Sequence, residues 1–247
     1  MKTAALIPCR FQSSRFEGKP LATIGGKPMM WHVYQQVTKA STIEVAYIAT
    51  DNAAIGKACD ELGMKWIMTS DQHLTGTDRV AECARKLDVD VIVNVQGDEP
   101  FILPESIDAV TNALLESPIR GLAATNGYSV IDTQEDANDP GVVKVVFSAS
   151  NLALAYSRLP IPLSFRKDAL RFRQLGLYAF HKDALEFFST AKQGPIEQSE
   201  SVEMYRFVEH DKPVLMVEVK EAGLAVDTPA DLYKARQFYD KLHAPKA

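Results

Sequence analysis

Cysteine is scarce in this sequence. Cys9, Cys59 and Cys83 are the three among 247 residues, and no two of them form a C-x-x-C pair. A disulfide framework and the common zinc patterns are therefore excluded. The first residues lack the basic-then-apolar order of a secretory signal, so a reducing cytoplasm is the expected home. No apolar run approaches the roughly 18 residues that a membrane helix needs, so no membrane partner is expected. Positive charge is not in surplus either. Lys and Arg number 27 against 32 Asp and Glu, for a net charge of −5. A nucleic-acid binder would carry a basic surface, so nucleic acid is not an expected partner. Two phosphate-binding glycine motifs are also missing. The G-x-x-x-x-G-K-S/T pattern fails because Ser13 stands at its first glycine and Pro20 at its hydroxyl position, and G-x-G-x-x-G does not occur. P-loop chemistry is excluded, and a dehydrogenase becomes a poor reading. Internal repeats and low-complexity stretches are absent too.

What is present is a chain with 46% hydrophobic residues, enough for a substantial core. Its first half alternates short apolar runs with helical patterns. Residues 4–7, 45–50, 66–69 and the run "DVIVNVQGD" read as strands, the last buried on both faces. Residues 28–39, 78–87 and 104–116 read as helices, and "DNAAIGKACDELG" reads as a helix capped by Asp51. Such alternation implies βαβ units and a parallel, doubly wound sheet, with ligands beyond the carboxyl ends of its strands. In the second half, strands at 121–128, 142–147, 153–157 and 173–180 follow one another with little helix between them. That predicts an antiparallel subdomain over roughly 121–213 inside a single α/β domain covering 1–247. Helices at 182–191 and 197–209, a strand at 214–219 and a final helix from 228 or 229 complete the expectation.

The loop after the first strand, "RFQSSRFEGKPL", carries Arg10, Arg15 and Lys19 within ten residues of an acidic protein. Solvated charged loops are common. At the end of the first strand of a parallel sheet, however, three cations match a small polyanion, with the turn at Ser13 and Gly18 offering backbone donors. Asp98 follows the buried "VIVNVQG" strand, and Gly97 before it lets backbone approach a ligand. Asp98 reads either as a strand-end turn residue or, more in keeping with its place, as a metal ligand.

Five segments resemble the cytidylyltransferases that activate 3-deoxy-manno-octulosonate (Kdo). "IPCRFQSSRFEGKPL" is similar to that family's IPAR-x-x-S-S/T-R-L/F-x-x-KPL opening, and "MTSDQHLTGTDRVAE" to its MT-x-x-x-H-x-SGT segment. "VNVQGDEPFI" resembles its NVQGDEP strand end, "LALAYSRLPIP" its ALYFSR-x-x-IP, and "AVDTPADL" its GVDTPEDL. The matches are collinear over at least residues 3–236.

The resemblance implies a Rossmann-like nucleotidyltransferase fold and formation of CMP-Kdo and pyrophosphate from CTP and Kdo. It also implies Mg2+, a homodimer, and a product destined for lipopolysaccharide or another glycan. Nucleotidyl transfer brings an anionic nucleophile to an anionic phosphate, so neutralising charge is the main task. Arg10, Arg15 and Lys19, with Ser13, are implied at the triphosphate, and Asp98 and Asp227 at the metal. From the sequence alone Asp227 would be a helix N-cap, and the two roles are compatible. Pro8, Thr69, His73, Thr75, Gly76 and Thr77 are implied around the cytosine, with His73 shaping the loop. Gln96 and Gly97 are implied beside the nucleotide. Gln96, Arg79, Arg158, Gln174, Tyr178, Glu200 and Glu203 are implied around the sugar acid, Arg158 pairing with its carboxylate. Glu197, Glu200 and Glu203 recur at spacing three, which on one helix gives either a solvated acidic face or acceptors for sugar hydroxyls.

The departures fall in the sugar half. Gln174 stands where the family has histidine, and Met204 where it has glutamine, which opens the identity of the acid. Cys9 stands where alanine is common and reads as a packing residue or a reactive thiol. Alternatives are another ulosonic acid, amino-Kdo among them, and a nucleotide-binding regulator that has lost turnover.

Overall fold

The computed structural model describes residues 1–12, 16–220 and 224–244, except for the side chain of Glu135. Ser13 and Arg15, both expected at the phosphates, lie outside the described residues. The first half runs β1 (Thr3–Pro8), a 3-10 turn (Lys19–Leu21), the hairpin β2 (Thr23–Ile24) and β3 (Lys27–Pro28), α1 (Met29–Val37), β4 (Val45–Thr50), α2 (Ala53–Glu61), β5 (Trp66–Met68), α3 (Gly76–Arg85), β6 (Val91–Val95) and α4 (Pro104–Leu115). The second half runs β7 (Ala124–Val130), α5 (Gln134–Asn138), β8 (Lys144–Phe147), β9 (Ala153–Ser157), β10 (Phe172–His181), α6 (Lys182–Thr190), α7 (Pro195–Glu200), α8 (Tyr205–Val208), β11 (Val214–Glu218) and α9 (Pro229–His243).

Among the described residues, nine strands join one sheet, ordered β11-β7-β10-β6-β1-β4-β5, with β8 pairing with β10 and β9 with β8. The wing β6-β1-β4-β5 is parallel throughout. β10 runs antiparallel to both β6 and β7, and β11 is parallel to β7. The second-half strands thus extend the first-half sheet instead of forming a separate one. The chain moves outward from β1 through β4 to β5 and then returns to the other side of β1 as β6. That reversal makes β1 and β6 the switch point, and the crevice beyond their carboxyl ends the natural ligand position.

The continuous apolar runs of β1 and β6 arise because both faces are covered. Ala5, Ile7, Val93 and Val95 face a layer carrying Val33, Ile55, Ile107 and Val110 from α1, α2 and α4. Ala4, Leu6 and Ile92 face the opposite layer, which contains Val80, Leu185, Phe188 and Phe207 from α3, α6 and α8. Each such fully buried aliphatic or aromatic side chain contributes about 1.5–3 kcal/mol. In a third, smaller cluster, Val226, Leu232 and Ala235 seat α9 against Ile24 and Met29.

Two local expectations are corrected. The cap of α2 is Asn52, whose side chain accepts from the Ala54 and Ile55 amides, and not Asp51. The single helix expected over 197–209 is two short helices, because Ser201 adopts a left-handed conformation (φ 52°) that ends α7. Glu203 therefore does not share a helical face with Glu197 and Glu200.

Candidate active site

The loops leaving β1 and β6 meet at the switch point. Gly97 is required there, since a Cβ on it would stand 2.9 Å from Cys9 Sγ and 3.0 Å from the Pro8 carbonyl. This close approach presents Asp98 to the crevice. The Val226 amide donates to the Asp98 carbonyl (2.9 Å), which brings the segment before α9 alongside. α9 is capped by Thr228, which forms a capping box with Asp231. The expectation of Asp227 as N-cap is therefore corrected, and its carboxylate turns to the crevice instead. Gly18, left-handed at φ 68°, precedes the 3-10 turn that carries Lys19. The Lys19 ammonium donates to Asp98 Oδ2 at 2.9 Å and to Asp227 Oδ1 at 3.2 Å. Burial works against the lysine charge, but the two carboxylates outweigh it and hold its pKa above the ordinary value.

Three hollows lie around these loops. A cavity of about 120 Å³ is bounded by Pro8, Arg10, Lys19, Gly97, Asp98 and Asp227. Arg10 also borders a larger space of about 470 Å³ that runs past Leu74, Thr75 and Gly76 to Glu203. A third, of about 250 Å³, opens from Gln96, Asp98 and Asp227 toward Arg173, Gln174 and Tyr178. Gln96 borders both the 120 Å³ and the 250 Å³ cavities. It packs so closely on Gly176 that a Cβ there would stand 2.6 Å from its Cγ.

The loop before α3 is held from below. His73 Nε2 and Glu82 Oε2 are 2.6 Å apart, and Glu82 also accepts from Lys86 and from the Ser70 amide. Burial would raise the Glu82 pKa, but these donors win and lower it to about 2. Thr75 caps α3, and Glu203 accepts from the Gly76 amide (3.0 Å), the Thr77 amide (3.0 Å) and the Thr77 hydroxyl. Glu203 thus joins the second-half wall to the α3 N-terminus, where a carboxylate is favoured. Burial raises its pKa against these same donors.

Other expected residues lie elsewhere. Arg79 is 3% exposed, paired with Asp51 at 2.5 Å, and donates to the buried Thr69 hydroxyl and the Ser70 carbonyl, so it braces the loop from inside. Arg158 donates from all three guanidinium nitrogens to the carbonyls of Glu200, Pro140 and Ser201. Glu200 in turn accepts from the Ser157 hydroxyl and the Arg158 amide. Arg158 and Glu200 form a strut behind the pocket wall and do not border the 250 Å³ cavity. Met204 is fully buried in the core, so its difference from the family glutamine is a packing change at this position. Gln174 Nε2 donates to the Tyr178 hydroxyl at 2.6 Å, and both border the cavity. Burial raises the Tyr178 pKa and keeps the phenol protonated. Cys9 is 1% exposed with its pKa pushed up by burial, which removes the reactive-thiol reading. Arg173, bordering the same cavity, was missed by sequence reasoning. Its available signal was its position beside Gln174 on the strand that crosses the site.

Fold and site define the class: an α/β protein with a doubly wound sheet and a ligand crevice at its switch point. A family model described as cytidylyltransferase matches residues 4–215. The chain is 41% identical to the 3-deoxy-manno-octulosonate cytidylyltransferase of Trichlorobacter lovleyi, over 96% of this chain and 98% of that protein. It is 40% identical to the protein of that name from Syntrophus aciditrophicus, over 96% and 97%. A solved structure of CMP:2-keto-3-deoxy-manno-octonic acid synthetase complexed with CTP superposes with a TM-score of 0.92 at 35% identity, covering 98% of this chain and 100% of that one. The chain belongs to the 3-deoxy-manno-octulosonate cytidylyltransferase family.

Proposed function

We propose that this protein transfers CMP from CTP to Kdo, or to a closely related 2-keto-3-deoxy sugar acid, and releases pyrophosphate. The observation that carries the reading is the convergence of Lys19, Asp98 and Asp227 at the switch point. The nucleoside lies in the 470 Å³ space past Thr75 and Gly76, and the triphosphate turns at Arg10 and Lys19. Gln96 orients the sugar acid or the ribose. The protonated Tyr178, aligned by Gln174, donates to a sugar hydroxyl.

Two carboxylates that meet at one ammonium in the crevice suit magnesium, which binds few protein carboxylates together with substrate phosphates. Asp98 and Asp227 would hold it. When bound, magnesium supplies charge neutralisation and lowers the pKa of a coordinated hydroxyl. On substrate binding the Lys19 ammonium exchanges carboxylate oxygens for phosphate oxygens, which keeps the local charge balanced.

The test is magnesium-dependent pyrophosphate release from CTP with a panel of sugar acids, Kdo included, in wild type and Asp98→Ala. Turnover with Kdo that falls at least 100-fold in the variant is expected. Turnover with a different ulosonic acid alone would favour a second reading, for which the Gln174–Tyr178 pair is the motivating observation. Tight CTP binding without turnover of any acid would overturn both.

We further propose a cytoplasmic homodimer. The buried free thiols fit a reducing compartment. Leu159, Leu163, Phe165 and Leu170 are 61–85% exposed along one connection between β9 and β10, and Leu154 on β9 is exposed as well. Such a patch suits a self-complementary interface. Phe165→Asp is expected to shift the mass in light scattering from dimer to monomer. A wild type that is monomeric at micromolar concentration would sink this proposal.

A further inference from the structure

We infer that Tyr239 is a positioning residue for Asp227. Its ring, seated on Gly25 in the β2–β3 turn, pins the far end of α9 and so holds the carboxylate at the head of that helix. The inference rests on the nucleotidyl-transfer reading above. On that reading the Lys19 ammonium exchanges carboxylate oxygens for phosphate oxygens when substrate binds. The 3.2 Å pair that ties Asp227 to the Lys19 turn is then spent. The seat of α9 does not depend on that pair and persists through the exchange.

α9 spans Pro229–His243, and at about 1.5 Å per residue Tyr239 lies roughly 15 Å along it from Pro229. Asp227 stands just before the Thr228 cap, so a tilt at one end of this rod moves the carboxylate at the other. Near the head, Val226 and Leu232 pack in the cluster that holds Ile24 and Met29. Farther along, Arg236 Nε donates to the Thr23 carbonyl at 2.8 Å. The Phe238 ring meets Phe101, three residues past Asp98, edge-on at 4.8 Å. Tyr239 closes the series. A Cβ on Gly25 would stand 2.1 Å from its Cε1, so the ring lies directly on the backbone of the turn. The same ring meets His32 edge-on at 5.4 Å, and His32 Nε2 lies 2.8 Å from the Ile24 carbonyl, which ties α1 to the hairpin. The hairpin is continuous with the site. The Ala22 amide donates to the Lys19 carbonyl (3.1 Å), and the Met29 amide to the Ala22 carbonyl (2.7 Å). α9 therefore rests on the elements that carry Lys19 and Asp98, and it delivers Asp227 to both. Gly25 and Gly26 are both left-handed, at φ 54° and 79°, but a Cβ on Gly26 would meet nothing within 4 Å. The two glycines thus separate backbone strain from the aromatic seat. Contacts behind a ligating side chain set its orientation, and losing them costs on the order of 10- to 100-fold in metal affinity.

The test compares wild type with Tyr239→Ala, Tyr239→Phe, Gly25→Ala and Gly26→Ala by the thermal shift that magnesium adds to CTP, measured against CTP with EDTA. That readout needs no turnover. Tyr239→Ala and Gly25→Ala are expected to lose most of the magnesium increment, while the shift with CTP and EDTA stays at the wild-type value. In pyrophosphate release with an acid that wild type turns over, half-saturating magnesium should rise on the order of 10-fold in both, with KM for the acid within about twofold. A merely structural role would lower Tm in every condition and leave the increment alone. Tyr239→Phe, which keeps the ring, and Gly26→Ala, which has the strain without the clash, should keep the wild-type increment. An unchanged increment in Tyr239→Ala, or equal losses in Gly25→Ala and Gly26→Ala, overturns the assignment and leaves the parent reading intact. If Tyr239→Ala does not fold, Gly25→Ala against Gly26→Ala decides by the same readout. A wild type with no magnesium increment and no turnover of any acid removes the parent reading, and this inference falls with it.

Discussion

Replacing Lys19 by methionine is expected to lower kcat/KM for CTP on the order of 100- to 1000-fold, the usual cost of removing one preorganised electrostatic partner of a transition state. Methionine keeps the volume of the stem, and the 3-10 turn retains its buried Pro20, so the fold should survive. What changes is the charge at the switch point. In wild type one ammonium lies within 3.2 Å of both Asp98 and Asp227. Its pKa is raised, so its contribution to stability is fully present below the ordinary lysine value near 10.5 and is lost only as pH rises through the higher folded value. In the variant both carboxylates lose the ammonium they share. Millimolar magnesium without CTP should raise the Tm of Lys19→Met by more than that of wild type, because a divalent ion can take the vacated place between the carboxylates. Retained activity, or a Tm equally indifferent to magnesium in both proteins, would remove Lys19 from the centre of the site.

The parallel wing was legible because its cause is local. β1, β4 and β6 are short, β-branched or small, and apolar on both faces, and only a sheet covered on both sides asks for that pattern. Asp98 was legible for the same reason, as the first acid beyond such a strand. The misreadings share a different cause, namely pairings and backbone turns that residue type and spacing do not rank. Asp51 and Asn52 are adjacent and both suit an N-cap. Arg79, 28 residues on, engages Asp51 and leaves the cap to Asn52. Asp227 and Thr228 repeat the ambiguity, which the capping box with Asp231 resolves in favour of Thr228. Arg158 and Arg173 are alike as letters. Only the carbonyls of Pro140, Glu200 and Ser201 mark the former as a strut.

The glutamates make the point most sharply, and the second large effect follows from them. Spacing three suggested one acidic face, yet a single left-handed residue, Ser201, sends the three carboxylates to three different duties. Glu200 holds the strut, Glu203 caps α3, and Glu197 pairs with Arg206 in the core. That last pair is bidentate, Nε to Oε2 and Nη2 to Oε1, both at 2.6 Å, with the two side chains 3% and 2% exposed. Arg206 also donates to the Phe188 carbonyl at 2.9 Å, stacks 4.2 Å from the Phe188 ring and lies 3.5 Å from Asp78 of α3. Burial works against its charge, and Glu197 more than compensates.

Arg206→Leu would strand the Glu197 carboxylate inside the core, a loss of about 3–5 kcal/mol. For a chain of this length that is roughly a 10 °C fall in Tm by calorimetry. The double variant Arg206→Leu/Glu197→Leu should recover most of the loss, since the cost lies in the orphaned charge and not in the missing pair. Activity should fall further than stability explains, because Arg206 lies two residues beyond Met204 in the turn whose Glu203 holds the Gly76 and Thr77 amides, and it also reaches Asp78 in the first turn of α3. A double variant as unstable as the single one would mean that the pair itself, through its geometry, holds α7, α8 and α3 in register.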